Sequence, residues 1–282
     1  MRKTKKLLCL CLAAVMAFCF TGCGGDKTPN NDDGSVKDNQ SVSASLSEDN
    51  FEWDGNVIIA LTETGAKQKA IVIPERCEGF GGSIFAGKDK AAEKVSFSSN
   101  NDISLDCVFT SAKKIKSVTL PTGLTKIGNM DFWMCEALEE INIPASVVTI
   151  GEAAFQDCSK LKKVVLGEAT KDIQEYAFDG CESLDTVILP DGIETIGEYA
   201  FYECVSLKTI TLPKSLKDIG EFAFANGGLT EIIVPEEVQL DSFDTTSFVQ
   251  TNSTVKVIVR SGSWMDQNFD NVFGNGYIKE AN

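Results

Sequence analysis

Apolar and polar positions repeat with a fixed period of 23 residues through the middle of this chain. Four consecutive segments share one pattern and a fifth is one residue shorter: 115–137, 138–160, 161–183, 184–206 and 207–228. The shared pattern reads Leu-x-x-Ile-x-Leu-Pro, then Ile-Gly, Ala-Phe and Cys, with a few exchanges. A period of this length predicts a solenoid, in which each repeat forms one coil and stacks on the next.

The first part of each repeat predicts a β-strand. Counted from the first apolar residue, positions 4 and 6 are apolar in every copy. Alternate residues of a strand point to opposite faces, so positions 4 and 6 face the core and positions 3 and 5 face outward. We expect one continuous parallel sheet whose outward residues are Lys94, Ser96, Ser117, Thr119, Glu140, Asn142, Lys163, Val165, Thr186, Ile188, Thr209 and Thr211.

The second part of each repeat predicts the opposite side of the coil. The Ala-Phe pair and the residues up to the cysteine favour a short helical or 3-10 turn. We expect a stacked internal spine of Phe109, Phe132, Phe155, Phe178, Phe201 and Phe224. Proline after the strand ends its hydrogen bonding, and glycine at position 14 suits a bend with positive φ. In one copy Gly167 replaces that proline and Gln174 replaces that glycine.

The array extends beyond the five clear copies. Weaker copies occupy 68–91 and 92–114, and an eighth begins at 229–235. After it, Leu240, Phe243 and Phe248 are apolar but out of phase, and Val255–Val259 predicts a closing strand. We therefore expect about eight coils over 68–240 and a C-terminal cap at 241–282, because the terminal coils of a stacked array must cover its core.

These motifs resemble the BspA-like bacterial leucine-rich repeats. The strand phrase, the Ile-Gly turn and the Ala-Phe-x-x-Cys segment match that family over 68–235. The resemblance implies a curved solenoid on a bacterial cell surface that adheres to or recognises host or neighbouring-cell macromolecules, without implying one shared ligand. The preceding segment 55–65, with strand-like Val57–Leu61, is similar to the hairpin that opens such arrays, so we expect an N-terminal cap at 51–67.

The N-terminus predicts export and lipid attachment. Four basic residues precede an apolar run at 7–20 that is too short for an ordinary membrane span, as in a secretory signal peptide over 1–22. The sequence Phe20-Thr21-Gly22-Cys23 resembles a bacterial lipobox, although Phe20 stands where an aliphatic residue is usual. Ordinary cleavage nearby is the alternative, but it leaves Cys23 without a role. We expect an extracytoplasmic protein that lipid on Cys23 anchors to the bacterial membrane or cell surface.

The segment 23–50 predicts a flexible tether. It is rich in Gly, Asp, Asn and Ser and has almost no large apolar side chain, so burial cannot offset the entropy of ordering it. Its typical reach is roughly 30 Å. Such a tether would hold the remaining single domain away from the lipid headgroups.

Net charge narrows the class of partner. The chain carries a formal charge of −15, and loss of the basic signal peptide would make it more acidic. This charge argues against nucleic acid and anionic lipid as partners, because both are negatively charged. We expect contact with the membrane through the lipid anchor only.

The ten cysteines do not predict a disulfide framework. Cys9, Cys11 and Cys19 leave with the signal peptide. Four others recur at one position of successive coils: Cys135, Cys158, Cys181 and Cys204. We expect a buried row of free thiols, because cysteine packs as a small apolar residue and parallel side chains oppose bonding. Disulfides and a metal site are the alternatives for that row, and pairing of Cys77 with Cys107 also stays open.

Signals for catalysis are weak. The chain contains no histidine, which excludes Ser-His-Asp and Cys-His nucleophile systems and HExxH zinc sites. In four successive repeats, the residue directly after the Ile-Gly position is a glutamate, which we expect to face outward in a row: Glu152, Glu175, Glu198 and Glu221. Such a row fits a solvated face better than an acid/base pair across a cleft. We expect no enzymatic activity and no cofactor.

A calcium-like phrase near the C-terminus fails the test for a calcium loop. Asp266, Asn268 and Asp270 alternate as calcium ligands do, but Asn271 and Tyr277 stand where such a loop needs glycine and glutamate. We interpret the phrase as a polar turn and expect no bound metal. The aromatic residues around it predict closure of the last coil's apolar face: Trp264, Phe269, Phe273 and Tyr277.

The outward face of the sheet is the candidate ligand-binding site, as on other rigid solenoids. Its candidate residues are Ser117, Thr119, Glu140, Asn142, Lys163, Val165, Thr186, Ile188, Thr209 and Thr211. Val165, Ile188 and Ile233 would form an apolar stripe, which can mark a binding patch, although β-branched residues also suit strands for their own sake. We expect a cell-surface recognition or adhesion protein with a protein or glycan ligand. A structural cell-envelope component is the alternative.

Overall fold

The computed structural model describes residues 48–98, 102–249, 255–273 and 277–282. Every described residue lies in one compact unit, Ala44–Asn282. The predicted signal peptide, the lipid site Cys23 and nearly all of the predicted tether lie outside the described residues. No helix in the described part is both long and apolar enough to cross a membrane.

A small N-terminal sheet opens the array. Strands are numbered in chain order, and β1 (Phe51–Asp54) and β2 (Val57–Leu61) form an antiparallel hairpin beside β4 (Gly79–Phe80). A 3-10 helix at Glu48–Asn50 precedes the hairpin, and helix α1 (Glu63–Ala66) follows it. The structure thus has a hairpin where the sequence predicts one. The last residue of the 3-10 helix is buried, so folded structure begins slightly before the boundary predicted for the tether.

Parallel strands of successive coils form the front of the solenoid. Six of them make the front sheet: β3 (Ala70–Ile73), β5 (Lys94–Phe97), β6 (Ser117–Thr119), β8 (Glu140–Asn142), β10 (Lys163–Val165) and β12 (Thr186–Ile188). Four more make the C-terminal front sheet: β14 (Thr209–Thr211), β16 (Glu231–Ile233), β18 (Val255–Val259) and β19 (Tyr277–Ala281). Equivalent residues of neighbouring coils pair, as Lys163 does with Glu140 and Thr186. The predicted parallel solenoid is confirmed.

A second row of short strands, the side sheet, runs along the coils. It consists of β7 (Lys126–Ile127), β9 (Thr149–Ile150), β11 (Asp172–Ile173), β13 (Thr195–Ile196), β15 (Asp218–Ile219) and β17 (Ser242–Phe243). The core lies between the two rows and the turn side. In β10 and the residue after it, Val164 and Leu166 are buried while Lys163 is exposed. The predicted inward and outward alternation is therefore confirmed.

Between residues 102 and 249 the turn side of the coils consists of successive turns instead of the expected helical or 3-10 turns. Tyr176 has a φ of 56°, and its N–H donates to the Glu198 carbonyl of the next coil at 2.9 Å. The Phe178 N–H donates in the same way to the Ala200 carbonyl at 2.8 Å. Left-handed residues direct alternate amides along the solenoid axis, so these amides bond between coils instead of back along the chain.

The phenylalanine spine is confirmed. The rings of Phe155 and Phe178 stack with centroids 5.1 Å apart and planes 2° apart. All six predicted rings are fully buried. The stacked row continues to Phe85 in the N-terminal direction and to Phe248 in the C-terminal direction. The spine therefore forms a continuous apolar axis through the strong and the weak repeats alike.

The coil after residue 228 stays in phase, contrary to the sequence expectation. Phe243 pairs in register with Ile219 in the side sheet, and the ring of Phe248 stacks on Phe224 at 5.3 Å. Two more residues separate Pro235 from its side strand than separate the equivalent prolines from theirs, which shifts the sequence pattern without shifting the coil. The array therefore continues past residue 240, and β18 and β19 extend it further.

A helix lies where the sequence predicted a polar turn. Helix α2 (Trp264–Val272) contains the calcium-like phrase, so the expected turn is wrong. The Asp266 carboxylate pairs with the Lys279 ammonium group at 2.6 Å. Phe269 and Phe273 are buried, and Phe273 packs against the last ring of the spine. The predicted closure by aromatic residues is confirmed.

The cysteine row is buried, and its thiols are free. The Cys181 thiol donates to the Phe155 carbonyl of the preceding coil at 3.2 Å, and the other three make the equivalent bond. Burial raises the pKa of the Cys181 thiol well above its ordinary value, so it stays protonated. Cys77 and Cys107 are not joined by a disulfide, because their thiols are directed at different backbone carbonyls.

Close packing, not positive φ, explains the glycine at position 14. A Cβ on Gly220 would lie 2.4 Å from the amide nitrogen of Glu198 in the preceding coil. Gly220 does not have a positive φ, so the expectation for this position is wrong. Gly167, which stands in the proline position, is fixed in the same way, because its Cβ would lie 2.0 Å from the Pro144 carbonyl oxygen.

Candidate ligand-binding surface

The predicted binding residues lie together on the front of the solenoid. Eight are exposed, and Ser117 and Val165 are half-buried. The exposed ones are Thr119, Glu140, Asn142, Lys163, Thr186, Ile188, Thr209 and Thr211. Within each front sheet, strand pairing aligns them in two outward rows, one for position 3 and one for position 5. The surface is therefore a mixture of hydroxyl, amide, charged and apolar groups on a regular backbone.

The predicted apolar stripe is divided into two short patches. Val165 lies opposite Ile188 in the front sheet, and Ile233 lies opposite Ile258 in the C-terminal front sheet. Thr211 stands between them in the position 5 row. Ile188 is the most exposed of the four apolar residues, at 49%. The apolar character of the face is thus concentrated at the end of the front sheet.

The front of the solenoid is interrupted between β12 and β14. These strands belong to consecutive coils, yet they do not pair, and the interruption separates the front sheet from the C-terminal front sheet. We call this interruption the front gap. The expected single continuous sheet is therefore wrong, although both coils carry the same strand pattern.

Backbone groups at the front gap lack the bonds that their counterparts make. One coil earlier, the Lys162 carbonyl accepts from the Asp185 N–H at 3.0 Å, and the Leu166 N–H donates to the Ile188 carbonyl at 3.2 Å. The equivalent groups facing the front gap are the Asp185 carbonyl and the Leu189 N–H. In the part of the chain that the structure describes, neither has a protein partner. Such groups require water or a ligand as partner.

The core is partly uncovered at the front gap. Val187 and Leu189 are half-buried. The equivalent side chains of the preceding coil, Val164 and Leu166, are only 0% and 4% exposed. On the other flank of the front gap, Ile210 and Leu212 are each 1% exposed. The front gap therefore uncovers the two apolar side chains on its β12 flank, beside Ile188.

The two coils that flank the front gap remain stacked on their other sides. In the side sheet Ile196 pairs with Ile219. In the spine the rings of Phe201 and Phe224 lie 5.2 Å apart with planes 3° apart. The front gap therefore opens on one side only, while the core and the side sheet hold the coils together.

A buried carboxylate that the sequence analysis missed joins two coils. Asp131 occupies position 17, where the clear repeats that follow have alanine. Its carboxylate accepts from the N–H groups of Cys107 at 3.0 Å and Gly128 at 2.6 Å. Burial raises the pKa of Asp131 to about 6. In the regular coils, the amide equivalent to that of Cys107 donates to a carbonyl of the next coil, so Asp131 replaces this bond at the junction with the weak repeat 92–114.

A surface row of aromatic rings on the turn side was also missed. Tyr176, Tyr199 and Phe222 stack with centroid distances of 5.0 and 5.2 Å. Aromatic residues at position 16 of three successive repeats are the sequence signal for this row. Nearby, burial raises the pKa of Asp179 to about 6. The row adds contacts between coils outside the core.

Two shallow concavities are lined by residues of the side sheet and its neighbours. One has a volume of about 460 Å³ and is lined by residues that include Glu152, Gln174 and Glu175. The other, about 250 Å³, lies beside Asp131. The predicted carboxylate row, to which Glu152 and Glu175 belong, is exposed throughout. Among the described residues, no three cysteine or carboxylate side chains are grouped so that they could hold a metal.

The chain matches one protein family in sequence. A sequence model for the BspA type leucine rich repeat region matches six copies, over residues 64–185 and 171–280. No curated protein matches the chain at a significant level. The family match spans most of the part of the chain that the structure describes.

Solved structures of leucine-rich repeat proteins are similar to the chain. A protein from Bacteroides ovatus is 19% identical with a TM-score of 0.45, over 79% of this chain and 64% of its own length. The T. pallidum leucine rich repeat protein TpLRR is 23% identical with a TM-score of 0.45, over 83% of this chain and 97% of its own length. The pneumococcal vaccine antigen PcpA is 19% identical with a TM-score of 0.46, over 74% and 67%. The chain thus spans less than two thirds of the Bacteroides ovatus protein.

Proposed function

This chain belongs to the BspA-type leucine-rich repeat family, and from that premise we propose that it recognises macromolecules at the bacterial cell surface through the front of its solenoid. Family membership indicates a role in protein interaction and an extracytoplasmic location. Leucine-rich repeat proteins are typically binding scaffolds, which present side chains on a rigid stack of coils.

One observation carries the placement of the site on the front. Ile188 is exposed beside the partly uncovered core at the front gap, with the exposed hydroxyl side chain of Thr186 on its own strand and those of Thr209 and Thr211 on the front strand of the next coil. An apolar centre with hydrogen-bonding groups around it is the arrangement that macromolecular interfaces use. The front therefore offers both affinity and orientation to a ligand.

Lipid on Cys23 provides the anchor in this proposal. The supporting observation is the sequence Phe20-Thr21-Gly22-Cys23 after a short apolar run. A Cys23→Ser variant, expressed in a bacterium fed a labelled fatty acid, should lose the label and move from the membrane fraction to the soluble fraction. Equal labelling of the variant and the parent would show that the lipid is absent from Cys23.

A capture experiment tests the front as the recognition site. The parent protein is immobilised and exposed to extracellular-matrix proteins and to bacterial cell-wall material. The front variant changes Thr186, Ile188, Thr209 and Thr211 to glutamate. A matched control variant adds the same four charges at exposed positions outside the front sheets: Thr122, Val148, Val205 and Val249. All three proteins must first show equal thermal stability.

The proposal predicts saturable capture by the parent and by the control variant, with at least about a tenfold loss in the front variant, because charged side chains would surround the apolar centre. Equal capture by the front variant would remove the front as the site. Equal loss in both variants would assign the effect to net charge instead.

A further inference from the structure

We propose that the front gap binds an extended polypeptide segment, which adds a β-strand to the exposed edge of β12. This inference rests on the proposed function, since it names the chemistry of the partner that the front recognises. Strand addition to an exposed sheet edge is a general mode of peptide recognition, in which backbone bonds supply affinity and side-chain pockets supply specificity.

The donors and acceptors at the edge of β12 fit a polypeptide backbone. On this strand Thr186 and Ile188 bond toward β10, so the N–H and carbonyl of Val187 point toward the front gap. The Asp185 carbonyl and the Leu189 N–H face the same way. Together they repeat donor and acceptor groups at the spacing of alternate residues in a strand. A glycan lacks such a regular series of N–H groups, so the edge favours a protein partner.

The side chains around the edge define what the added strand must carry. Val187 and Leu189 are half-buried at the front gap, so inward-facing side chains of the added strand would cover them and should be apolar or β-branched. Ile188 faces outward beside the edge and is exposed. An outward β-branched residue opposite it would form a cross-strand contact of the kind that stabilises sheets. The fitting segment is therefore a short alternating strand.

The protein's own repeat supplies a probe with these properties. The segment 207–213, Leu-Lys-Thr-Ile-Thr-Leu-Pro, follows β12 by one coil and alternates as required, yet it does not pair with β12. A synthetic peptide of this sequence, with blocked ends and a fluorophore, should bind the protein saturably at one site. A scrambled peptide of the same composition serves as control.

Backbone methylation of the peptide separates strand addition from side-chain adhesion. In the repeat's own register, the residues equivalent to Thr209 and Thr211 point their N–H groups toward β12. Methylation of these two nitrogens should weaken binding by at least about tenfold, because two hydrogen bonds are lost and the side chains are unchanged. Equal binding by the methylated peptide would overturn the proposal.

A pair of protein variants locates the site. Val187→Pro removes the N–H that faces the front gap, whereas Val187→Thr keeps that N–H and a β-branched side chain. Because proline is tolerated where a strand's N–H is unbonded, both variants should fold, which circular dichroism and thermal unfolding check. The proposal predicts at least about a tenfold weaker peptide affinity for Val187→Pro and about the parent affinity for Val187→Thr. Parent-like affinity in Val187→Pro would place the peptide elsewhere and contradict the inference.

Failure of this inference is distinguishable from failure of the proposed function. If the front variant loses macromolecular capture while the probe peptide fails to bind, the front remains the recognition site and strand addition is wrong. If capture is retained by the front variant, the proposed site itself is wrong.

Discussion

The front and the spine of the same two coils behave differently. Between coils 184–206 and 207–228 the strands β12 and β14 do not pair, whereas the rings of Phe201 and Phe224 stack at 5.2 Å and the side sheet continues without a break. The core and the side sheet therefore hold the two coils together, and their front strands do not need to pair. This separation lets the repeat array keep its fold while the strand pairing at its front changes.

The largest expected effect on stability comes from a substitution in the phenylalanine spine. Phe178→Ala removes a fully buried ring that stacks between Phe155 and Phe201, each with its centroid 5.1 Å away. We expect a loss of about 3–5 kcal/mol in the free energy of unfolding, because a cavity remains in a close-packed row. Urea unfolding measures it. Tyr176→Ala, in the surface aromatic row, is the control and should cost less than half as much; equal losses would contradict an interior origin of the stability.

A pair of proline variants sharpens the contrast between bonded and unbonded sides of β14. The backbone groups of Ile210 face β16, with which β14 pairs. Ile210→Pro should therefore lower the free energy of unfolding by about 3 kcal/mol or more, because the backbone hydrogen bond is lost and the proline ring clashes with its surroundings. The Thr211 N–H faces the front gap, so Thr211→Pro should cost less than about 1 kcal/mol. Thermal unfolding compares the two variants. Similar large losses in both would mean that β14 pairs on both sides.

Acid should stabilise the folded protein through Asp131, which lies at the junction between the weak repeat 92–114 and the regular repeats. The pKa of Asp131 in the folded protein, about 6, lies above its ordinary value of 3.8, so the folded state binds the proton more tightly. The stabilisation that protonated Asp131 contributes to the folded state is fully present below about pH 3.8 and is lost as pH rises through about 6. Relative to Asp131→Asn, the parent should gain up to about 3 kcal/mol in the free energy of unfolding between pH 7 and pH 4.

Denaturant unfolding at several pH values measures this difference. Asp179 titrates in the same range in both proteins, so it cancels in the comparison. A difference between parent and Asp131→Asn that does not change with pH would show that the Asp131 carboxylate keeps an ordinary pKa.

The smallest expected effect on stability belongs to the front. Ile188 is 49% exposed, so Ile188→Thr should change the free energy of unfolding by less than about 0.5 kcal/mol. Val164→Thr places the same hydroxyl in the core one coil away and should cost at least about 1 kcal/mol. Equal effects in a thermal unfolding experiment would contradict the division between front and core.

Periodicity was enough to predict the architecture. The strands, the phenylalanine spine and the buried thiols all follow from side chains that recur at one position, because stacking brings equal positions together. The turn conformation did not follow, because the left-handed residues include Tyr176 and Ala153, whose side chains give no sign of it. The role of Gly220 was also misjudged, since the sequence does not show how closely the preceding coil approaches.

The candidate site was predicted only in part. Alternation identified the outward residues, because a strand has only two faces. The front gap was not predictable from the pattern, since β12 and β14 carry the same alternation of apolar and polar residues as the front strands that do pair. Asp131 was visible as a departure from alanine, but its bonding depends on the weak repeat beside it. Both features depend on how the adjacent coil packs, which the residue pattern of one repeat does not show.

Residue-resolved amide hydrogen exchange tests the central claim most directly. The front gap predicts rapid exchange at Val187 and Leu189 and slow exchange at Val164 and Leu166, whose strand keeps its neighbour. Equally slow exchange at all four amides would show that β12 and β14 pair in solution and would contradict the account.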